Sequence, residues 1–212
     1  MPTTKKRISK NKGNIFIISA PSGAGKTTLC RMILEQLDDI EFSISYTTRP
    51  PRPGEVDGRD YYFVSKDEFM QMVQEEEFIE WAEVHGNLYG TSKKRLLERV
   101  SKGIDVLLDI DTQGAAQIKE KGLEAVYIFI LPPSLSVLRE RLEGRASDSE
   151  DVINRRLKKA VEEIAAYKMY NYVIINDKLD EAFELLKAVV LSKRVAIESI
   201  DTDWIEETFL KG

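Results

Sequence analysis

The 212-residue sequence contains one cysteine, one histidine and no apolar run long enough to cross a membrane. A single cysteine, Cys30, excludes an internal disulfide, and a single histidine, His85, leaves no cluster of the kind that binds zinc. A basic surplus is also missing, because the formal net charge is −5. These absences predict a cytoplasmic protein that binds neither nucleic acid nor membranes and meets any anionic ligand with local cations.

Short apolar runs and helix-period stretches alternate along most of the chain. The runs that suit buried parallel strands are Ile15–Ile18, Val106–Ile110, Val126–Ile130 and Tyr172–Ile175. The helix-period stretches between and after them are Leu29–Leu37, Leu135–Leu142, Val152–Tyr167 and Leu179–Ile197. This alternation predicts an α/β fold with a central parallel sheet covered on both faces.

Two segments depart from this alternation. Residues 1–12 are basic and lack the apolar stretch of a secretory signal, so we expect a disordered, solvated tail. Residues 41–91 are dense in proline, glycine and arginine at their start, which favours turns and short strands. Within them, Ser65 and Glu68 have the spacing of a capping box and predict a helix that ends near Gln74. We therefore expect a small inserted subdomain.

The stretch SAPSGAGKTT at residues 19–28, here called the phosphate loop, lies between the first predicted strand and the first predicted helix. In such a loop the backbone N–H groups bind phosphate oxygens, and Lys26 and Thr27 complete the site. Ala20 stands where the pattern often has its first glycine. Nucleoside triphosphate binding is therefore predicted for Ala20, Pro21, Ser22, Gly23, Ala24, Gly25, Lys26, Thr27 and Thr28.

Asp109 closes the apolar run Val106-Leu107-Leu108 and should project from the carboxyl end of a strand toward the phosphate loop. Together with the Thr27 hydroxyl it is a candidate for holding Mg²⁺, in the case of Asp109 through water. An ordinary aspartate in a turn after a strand is the alternative for this position.

A signalling GTPase would explain Asp111-Thr112-Gln113-Gly114, which matches a D-x-x-G switch, and Asp177-Lys178-Leu179-Asp180, which resembles a guanine-binding N-K-x-D motif. However, Asp177 stands where that motif needs an amide. The interval from the phosphate loop to D-x-x-G is also much longer than in small GTPases. Both departures disfavour this class.

The arginines favour transfer to a second bound phosphate. Arg49 and Arg52 lie three residues apart, and Tyr61 and Tyr89 add hydroxyl donors, a combination suited to a phosphate. A phosphate acceptor is already an anionic nucleophile near neutral pH, so the scarcity of histidine is expected.

A further arginine group lies in RLEGRASDSEDVINRR, a polar segment between two helical patterns. Arg141, Arg145 and Arg156 could close over the transferring group and exclude water. The alternative is a set of exposed arginines paired with Glu143, Asp148 and Glu150.

From about residue 14 to about residue 190, the chain resembles the guanylate kinase family. The resemblance rests on SAPSGAGKTT, SISYTTRPPRPGEVDGRDYYFV, EFIEWAEVHGNLYGT, LLDIDTQG, IFILPPS, RLEGRASDSEDVINRR and YVIIND. It implies a three-layer P-loop NTPase fold with a core at residues 13–44 and 92–212, all within one domain at residues 13–212. It also implies a GMP-binding subdomain at residues 45–91 and a mobile lid at about residues 137–158.

The resemblance implies a role for each matching residue. It implies that the phosphate of GMP is bound by Arg49, Arg52, Tyr61 and Tyr89. It also implies that guanine is contacted by Ser45, Glu80, Thr91 and Asp111. The catalytic cations are Lys26, Arg49, Arg141, Arg145 and Arg156, and Asn176 lies near the adenine of ATP. Taken alone, Glu80 would be a solvated charge in the acidic run Glu75–Glu80, and Asn176 could equally cap the helix that follows it.

The implied activity is transfer of the γ-phosphoryl group of ATP to GMP, and to dGMP, with Mg²⁺, in purine nucleotide metabolism. Two alternatives stay open: a catalytically silent binding module with this fold, and a kinase for another nucleoside monophosphate. A homodimer or higher homo-oligomer is also open. The apolar residues of the segment 195–212 could pack on another subunit, although we expect them to pack on the core.

Overall fold

A parallel sheet lies at the centre of the chain in the computed structural model, which describes residues 12–84, 86–144 and 149–211. The strands are β1 (Ile15–Ser19), β2 (Ile40–Phe42), β3 (Tyr46–Thr47), β4 (Tyr62–Phe63), β5 (Phe78–Val84), β6 (Asn87–Ser92), β7 (Asp105–Asp109), β8 (Val126–Leu131) and β9 (Tyr172–Ile175). The α-helices are α1 (Lys26–Gln36), α2 (Lys66–Gln74), α3 (Lys93–Ser101), α4 (Thr112–Glu120), α5 (Leu135–Glu143), α6 (Glu150–Ile164), α7 (Leu179–Arg194) and α8 (Thr202–Ile205).

The central sheet has the strand order β2-β7-β1-β8-β9, and every neighbouring pair in it is parallel. Alternate residues of β1 face opposite sides because side chains alternate along a strand. Phe16 and Ile18 belong to the apolar layer that includes α1 and α7, whereas Ile15 and Ile17 belong to the layer that includes α3 and α4. The predicted three-layer α/β fold is confirmed.

A second sheet, of order β4-β3-β6-β5, is built from residues 46–92. Helix α2 packs on it through Phe69, whose ring stacks on that of Phe78 with centroids 4.5 Å apart. The predicted capping box is present: the Ser65 hydroxyl accepts from the Glu68 N–H at 3.1 Å, and the Glu68 carboxylate accepts from the Ser65 N–H at 3.0 Å. The assignment of this sheet to GMP binding stays a prediction.

Several boundaries differ from those predicted. Strand β2 and helix α4 were not predicted, because β2 has three residues of which only Ile40 is buried and α4 includes a glycine and few large apolar residues. Helix α6 ends at Ile164 and is followed by a 3₁₀ helix at Ala165–Met169. Helix α7 ends three residues before the predicted Ile197.

Some predictions concern residues that the structure does not describe. The predicted tail lies outside the described residues except for Lys12, and His85 and Arg145 also lie outside them. In the described part of the chain, no helix is both long and apolar enough to span a lipid bilayer.

Candidate active site

The phosphate loop follows β1 and ends in the first turn of α1. Gly23 and Gly25 have φ values of 96° and 92°, in the left-handed region that favours glycine. The first turn of α1 has no side-chain cap, so its N–H groups are available to an anion at the positive end of the helix dipole. Ala20 has no positive φ, which explains why alanine can stand at the first position of the pattern.

Asn176 lies beneath the phosphate loop. The residue is 5% exposed, and its Nδ2 atom donates to the Ala24 carbonyl oxygen at 2.8 Å. A Cβ atom on Gly25 would overlap this amide, so the position needs glycine for space as well as for φ. The helix-cap alternative for Asn176 is wrong, because α7 is capped at Lys178 without any side-chain bond. The contact of Asn176 with adenine stays a prediction.

Lys26 joins the phosphate loop to the carboxyl end of β7. Its Nζ atom forms an ion pair with the Asp109 carboxylate and donates to the Ile110 carbonyl oxygen at 3.3 Å. Asp109 therefore projects toward the loop as the sequence predicts, because β7 lies beside β1 in parallel register. Thr27, in the first turn of α1, is exposed.

The oxygen donors at this edge suit Mg²⁺. Magnesium commonly takes one or two protein oxygens and completes its octahedron with water and phosphate. A carboxylate at Asp109 and a hydroxyl at Thr27 fit that requirement. Over residues 12–84, 86–144 and 149–211 there is no group of three or more acidic, histidine or cysteine side chains that would hold a metal alone.

A second pocket of about 290 Å³ adjoins the phosphate loop. Its lining brings together residues from both sheets, including the predicted GMP contacts Ser45, Tyr61, Glu80, Tyr89 and Asp111. Asp109 also lines this pocket. Because Asp109 pairs with Lys26 of the phosphate loop, it separates the loop from the pocket and contacts both.

Glu80 lies on β5 at the back of this pocket. It is 4% exposed, and its Oε1 atom accepts from the Thr91 hydroxyl at 2.6 Å. Burial raises the pKa of Glu80 from 4.5 to about 7; Asp111 also raises this pKa, while the Thr91 hydroxyl lowers it. The alternative of a solvated charge is therefore wrong. Asp111 caps α4 by accepting from the Gly114 N–H at 2.8 Å.

Arg49 does not line this pocket but lies beside Tyr61, which does, and it has an acidic partner that the sequence analysis missed. One nitrogen, Nη2, donates to both carboxylate oxygens of Glu55, at 2.9 and 3.0 Å, and the guanidinium carbon lies 5.3 Å from the centre of the Tyr61 ring. Glu55 also accepts from the Arg52 N–H at 2.7 Å. Hydrogen bonding to Arg49 lowers the pKa of Glu55. The sequence signal that could have indicated this pair is Glu55 itself, which lies in the same proline-rich turn as Arg49.

Two of the three arginines predicted for a lid are described, and both lie within helices. Arg141 is in the last turn of α5, and its Nη2 atom donates to the Asn176 carbonyl oxygen at 2.9 Å. Arg156 lies in α6, and the helices α5 and α6 pack through Leu138 and Ile153. Both arginines fall within the predicted helical stretches Leu135–Leu142 and Val152–Tyr167, which the structure shows as helices that end at Glu143 and begin at Glu150. Glu143 and Glu150 form ion pairs with Arg139.

A phosphate loop at the carboxyl edge of a parallel sheet, with a second polar pocket sharing one wall, defines a P-loop kinase that acts on a nucleoside monophosphate. A sequence model of the family described as "Guanylate kinase" matches residues 12–193. The chain belongs to the guanylate kinase family, whose members are ATP:GMP phosphotransferases.

Individual relatives agree. The chain is 52% identical over 200 residues to a guanylate kinase of Geobacter sulfurreducens, covering 94% of this chain and 98% of that one. It is 57% identical over 185 residues to a guanylate kinase of Geobacter metallireducens, covering 87% and 91%. The crystal structure of guanylate kinase from Anaplasma phagocytophilum superposes with a TM-score of 0.77 at 36% identity, covering 95% of this chain and 97% of that one.

Proposed function

We propose that this chain transfers the γ-phosphoryl group of ATP to the α-phosphate of GMP or dGMP, giving ADP and GDP or dGDP. The observation that supports the proposal is that Asp109 both pairs with Lys26 of the phosphate loop and lines the pocket that contains Glu80. Transfer between adjacent, aligned phosphates needs positioning and charge stabilisation rather than a protein base. None of the proposed contacts involves the ribose 2′-hydroxyl, so we include dGMP, which lacks this group, as a substrate.

The donor half binds the triphosphate through the main chain. The N–H groups from Gly23 to Thr27 and the positive end of α1 bind the β-phosphate. Lys26 exchanges Asp109 for the β- and γ-phosphate oxygens, so that one ion pair replaces another. Thr27 and, through water, Asp109 are the residues that would hold Mg²⁺, which when bound neutralises charge on the transferring phosphate.

The part of the pocket around Glu80 selects guanine by the hydrogen-bond donors and acceptors on the base. The Glu80 carboxylate accepts from the N1–H and N2 amino groups of guanine, and Ser45, Thr91 and Asp111 complete the contacts. Adenine has no proton on N1, so it would leave the buried carboxylate facing an acceptor. Rejection of adenine thus follows from the burial of Glu80.

The acceptor phosphate is held between the two halves. Arg49 and Arg52 bind its oxygens, and the Tyr61 and Tyr89 hydroxyls complete the site. Arg49 is already oriented by Glu55 and by the face of the Tyr61 ring. When GMP binds, its phosphate replaces the Glu55 carboxylate as the partner of the Arg49 guanidinium, which is already oriented.

Arginines from the proposed lid stabilise charge on the transferring group. Arg141, Arg145 and Arg156 take this role, and Arg141 is supported by its bond to the main chain of Asn176. The lone cysteine, Cys30, is free and buried, which suits a reducing cytoplasm. A homo-oligomer stays a prediction.

A substrate panel tests the proposal. ADP release would be measured with ATP, Mg²⁺ and GMP, dGMP, AMP, UMP or CMP in turn. We expect turnover with GMP and dGMP and none with the other three. ATP binding without turnover of any monophosphate would favour the silent binding module, and turnover of AMP or a pyrimidine nucleotide would favour another monophosphate kinase.

A further inference from the structure

One edge of β5 is covered by a helix rather than by a strand. In the described residues β5 ends the strand order of the second sheet, so its outer main-chain groups need partners from elsewhere. Helix α4 supplies them, although it follows β7 of the central sheet. The contact therefore fixes the guanine-binding strand to the core of the fold.

Gln117 makes the central contact of this edge. Its Oε1 atom accepts from the Trp81 N–H at 3.1 Å, and its Nε2 atom donates to the Trp81 carbonyl oxygen at 2.8 Å. One side-chain amide thus occupies both main-chain groups of a single strand residue, as an opposing residue in a hydrogen-bonded β-pair would. Trp81 directly follows Glu80, so this contact fixes the strand next to the buried carboxylate.

Two further residues complete the contact, Gly114 within α4 and Lys121 at its C-cap. The pairing of β5 with β6 is irregular between Phe78 and Glu80, and the Lys121 Nζ atom donates to the Ile79 carbonyl oxygen there at 2.6 Å. At the start of the helix, a Cβ atom on Gly114 would lie 2.6 Å from the Glu80 Oε2 atom. The glycine therefore leaves the space that the carboxylate occupies.

We infer that Gln117 is a positioning residue for guanine selection, which acts by holding Glu80 at a set distance from Asp111. Asp111 caps α4, so the helix that carries one predicted guanine contact also fixes the strand that carries the other. A pocket for the two donors of guanine needs both acceptors in fixed positions, and a displacement of about 1 Å can weaken such a site strongly. The inference rests on the proposed role of Glu80.

The test is Gln117→Met, which keeps the length of the side chain and removes both hydrogen bonds. We expect KM for GMP to rise about tenfold, with KM for ATP within about twofold of the parent, because the loss acts only through Glu80. The matched control is Gln74→Met, at the exposed end of α2, for which both constants should equal those of the parent. Thermal unfolding of each variant verifies that it is folded at the assay temperature.

A double-mutant cycle identifies the route of the effect. If Gln117 acts through Glu80, Gln117→Met will change KM for GMP much less in the Glu80→Gln background than in the parent. Equal rises in both KM values, or full additivity with Glu80→Gln, would overturn the inference and leave Gln117 a structural residue. If Glu80→Gln alone left KM for GMP unchanged, the role of Glu80 itself would be lost, which separates this failure from that of Gln117.

Discussion

Replacing Glu80 by glutamine should stabilise the protein and weaken its binding of GMP. The carboxylate is 4% exposed, and burial, as the largest cause, raises its pKa from 4.5 to about 7. A carboxyl whose pKa is higher in the folded than in the unfolded chain favours folding in its protonated form. This contribution is present below pH 4.5 and is lost as the pH rises through 7.

The size of the effect follows from the pKa difference. At about 1.4 kcal/mol for each pKa unit, ionised Glu80 lowers the free energy of unfolding at pH 8 by up to about 3 kcal/mol. Glutamine has nearly the same shape and no charge to desolvate. Glu80→Gln should therefore unfold at higher urea concentration than the parent at pH 8, and the difference should shrink toward pH 5.

Binding of GMP should change in the opposite direction. In the proposed binding mode only the ionised carboxylate accepts both guanine donors, and with a pKa of about 7 its ionised fraction falls about tenfold from pH 8 to pH 6. The GMP phosphate also begins to gain a proton near pH 6, with a second pKa of about 6. Calorimetric titration of Glu80→Gln with GMP measures only the effect of phosphate protonation on binding. The difference in pH dependence between parent and variant is therefore due to ionisation of Glu80.

Two results would refute this reasoning. One is a Glu80→Gln variant no more stable than the parent at pH 8, which would mean that the carboxylate is solvated or already neutral there. The other is the same pH profile for GMP binding in parent and variant, which would remove the Glu80 charge from guanine recognition.

Three other variants test the phosphate loop and the end of the central sheet opposite it, where β7 begins at Asp105. Lys26→Ala should lower kcat about a hundredfold or more with the circular dichroism spectrum unchanged; near-parental turnover would contradict its role. Gly25→Ala should lose more stability in urea unfolding than Gly54→Ala, because both have positive φ but only Gly25 lacks space for a Cβ atom; equal losses would leave only φ strain, about 1–2 kcal/mol. Arg194→Ala removes a guanidinium that donates to the fully buried Asp105 carboxylate at 2.6 Å and should cost about 3–5 kcal/mol with kcat unchanged, whereas a loss below about 1 kcal/mol would make the pair a surface-like contact.

The central sheet could be predicted because its inner strands are buried on both faces. Such strands appear as continuous apolar runs, as in β1, where all five residues are buried. Strand β2 gives no such signal, since it lies at the sheet edge and Phe42 is exposed. Helix α4 was missed because Gly114 and Gln117 serve contacts with β5 that leave no apolar period.

The site could be predicted where a local motif carries it, and not where partners are distant in sequence. The phosphate loop follows from spacing within ten residues. The bond from Asn176 to Ala24 joins residues 152 positions apart, and no pattern around Asn176 indicates it. Glu80 needed the family resemblance, because an acidic run has the same composition whether it is solvated or contains one buried carboxylate.

In the proposed binding mode, the cations that bind phosphate and the carboxylate that binds guanine have different partners in the free protein, and this difference would determine where selectivity arises. Lys26 and Arg49 each have a carboxylate partner in the protein, Asp109 and Glu55, so binding a phosphate exchanges one anionic partner for another and the net gain is moderate. Glu80 has a hydroxyl partner, and burial opposes its charge. Two N–H donors from guanine would stabilise a charge that the protein leaves costly, so the base contributes more to selection than the phosphate does. A nucleotide with the right phosphate and the wrong base would lose that compensation and also leave the carboxylate desolvated.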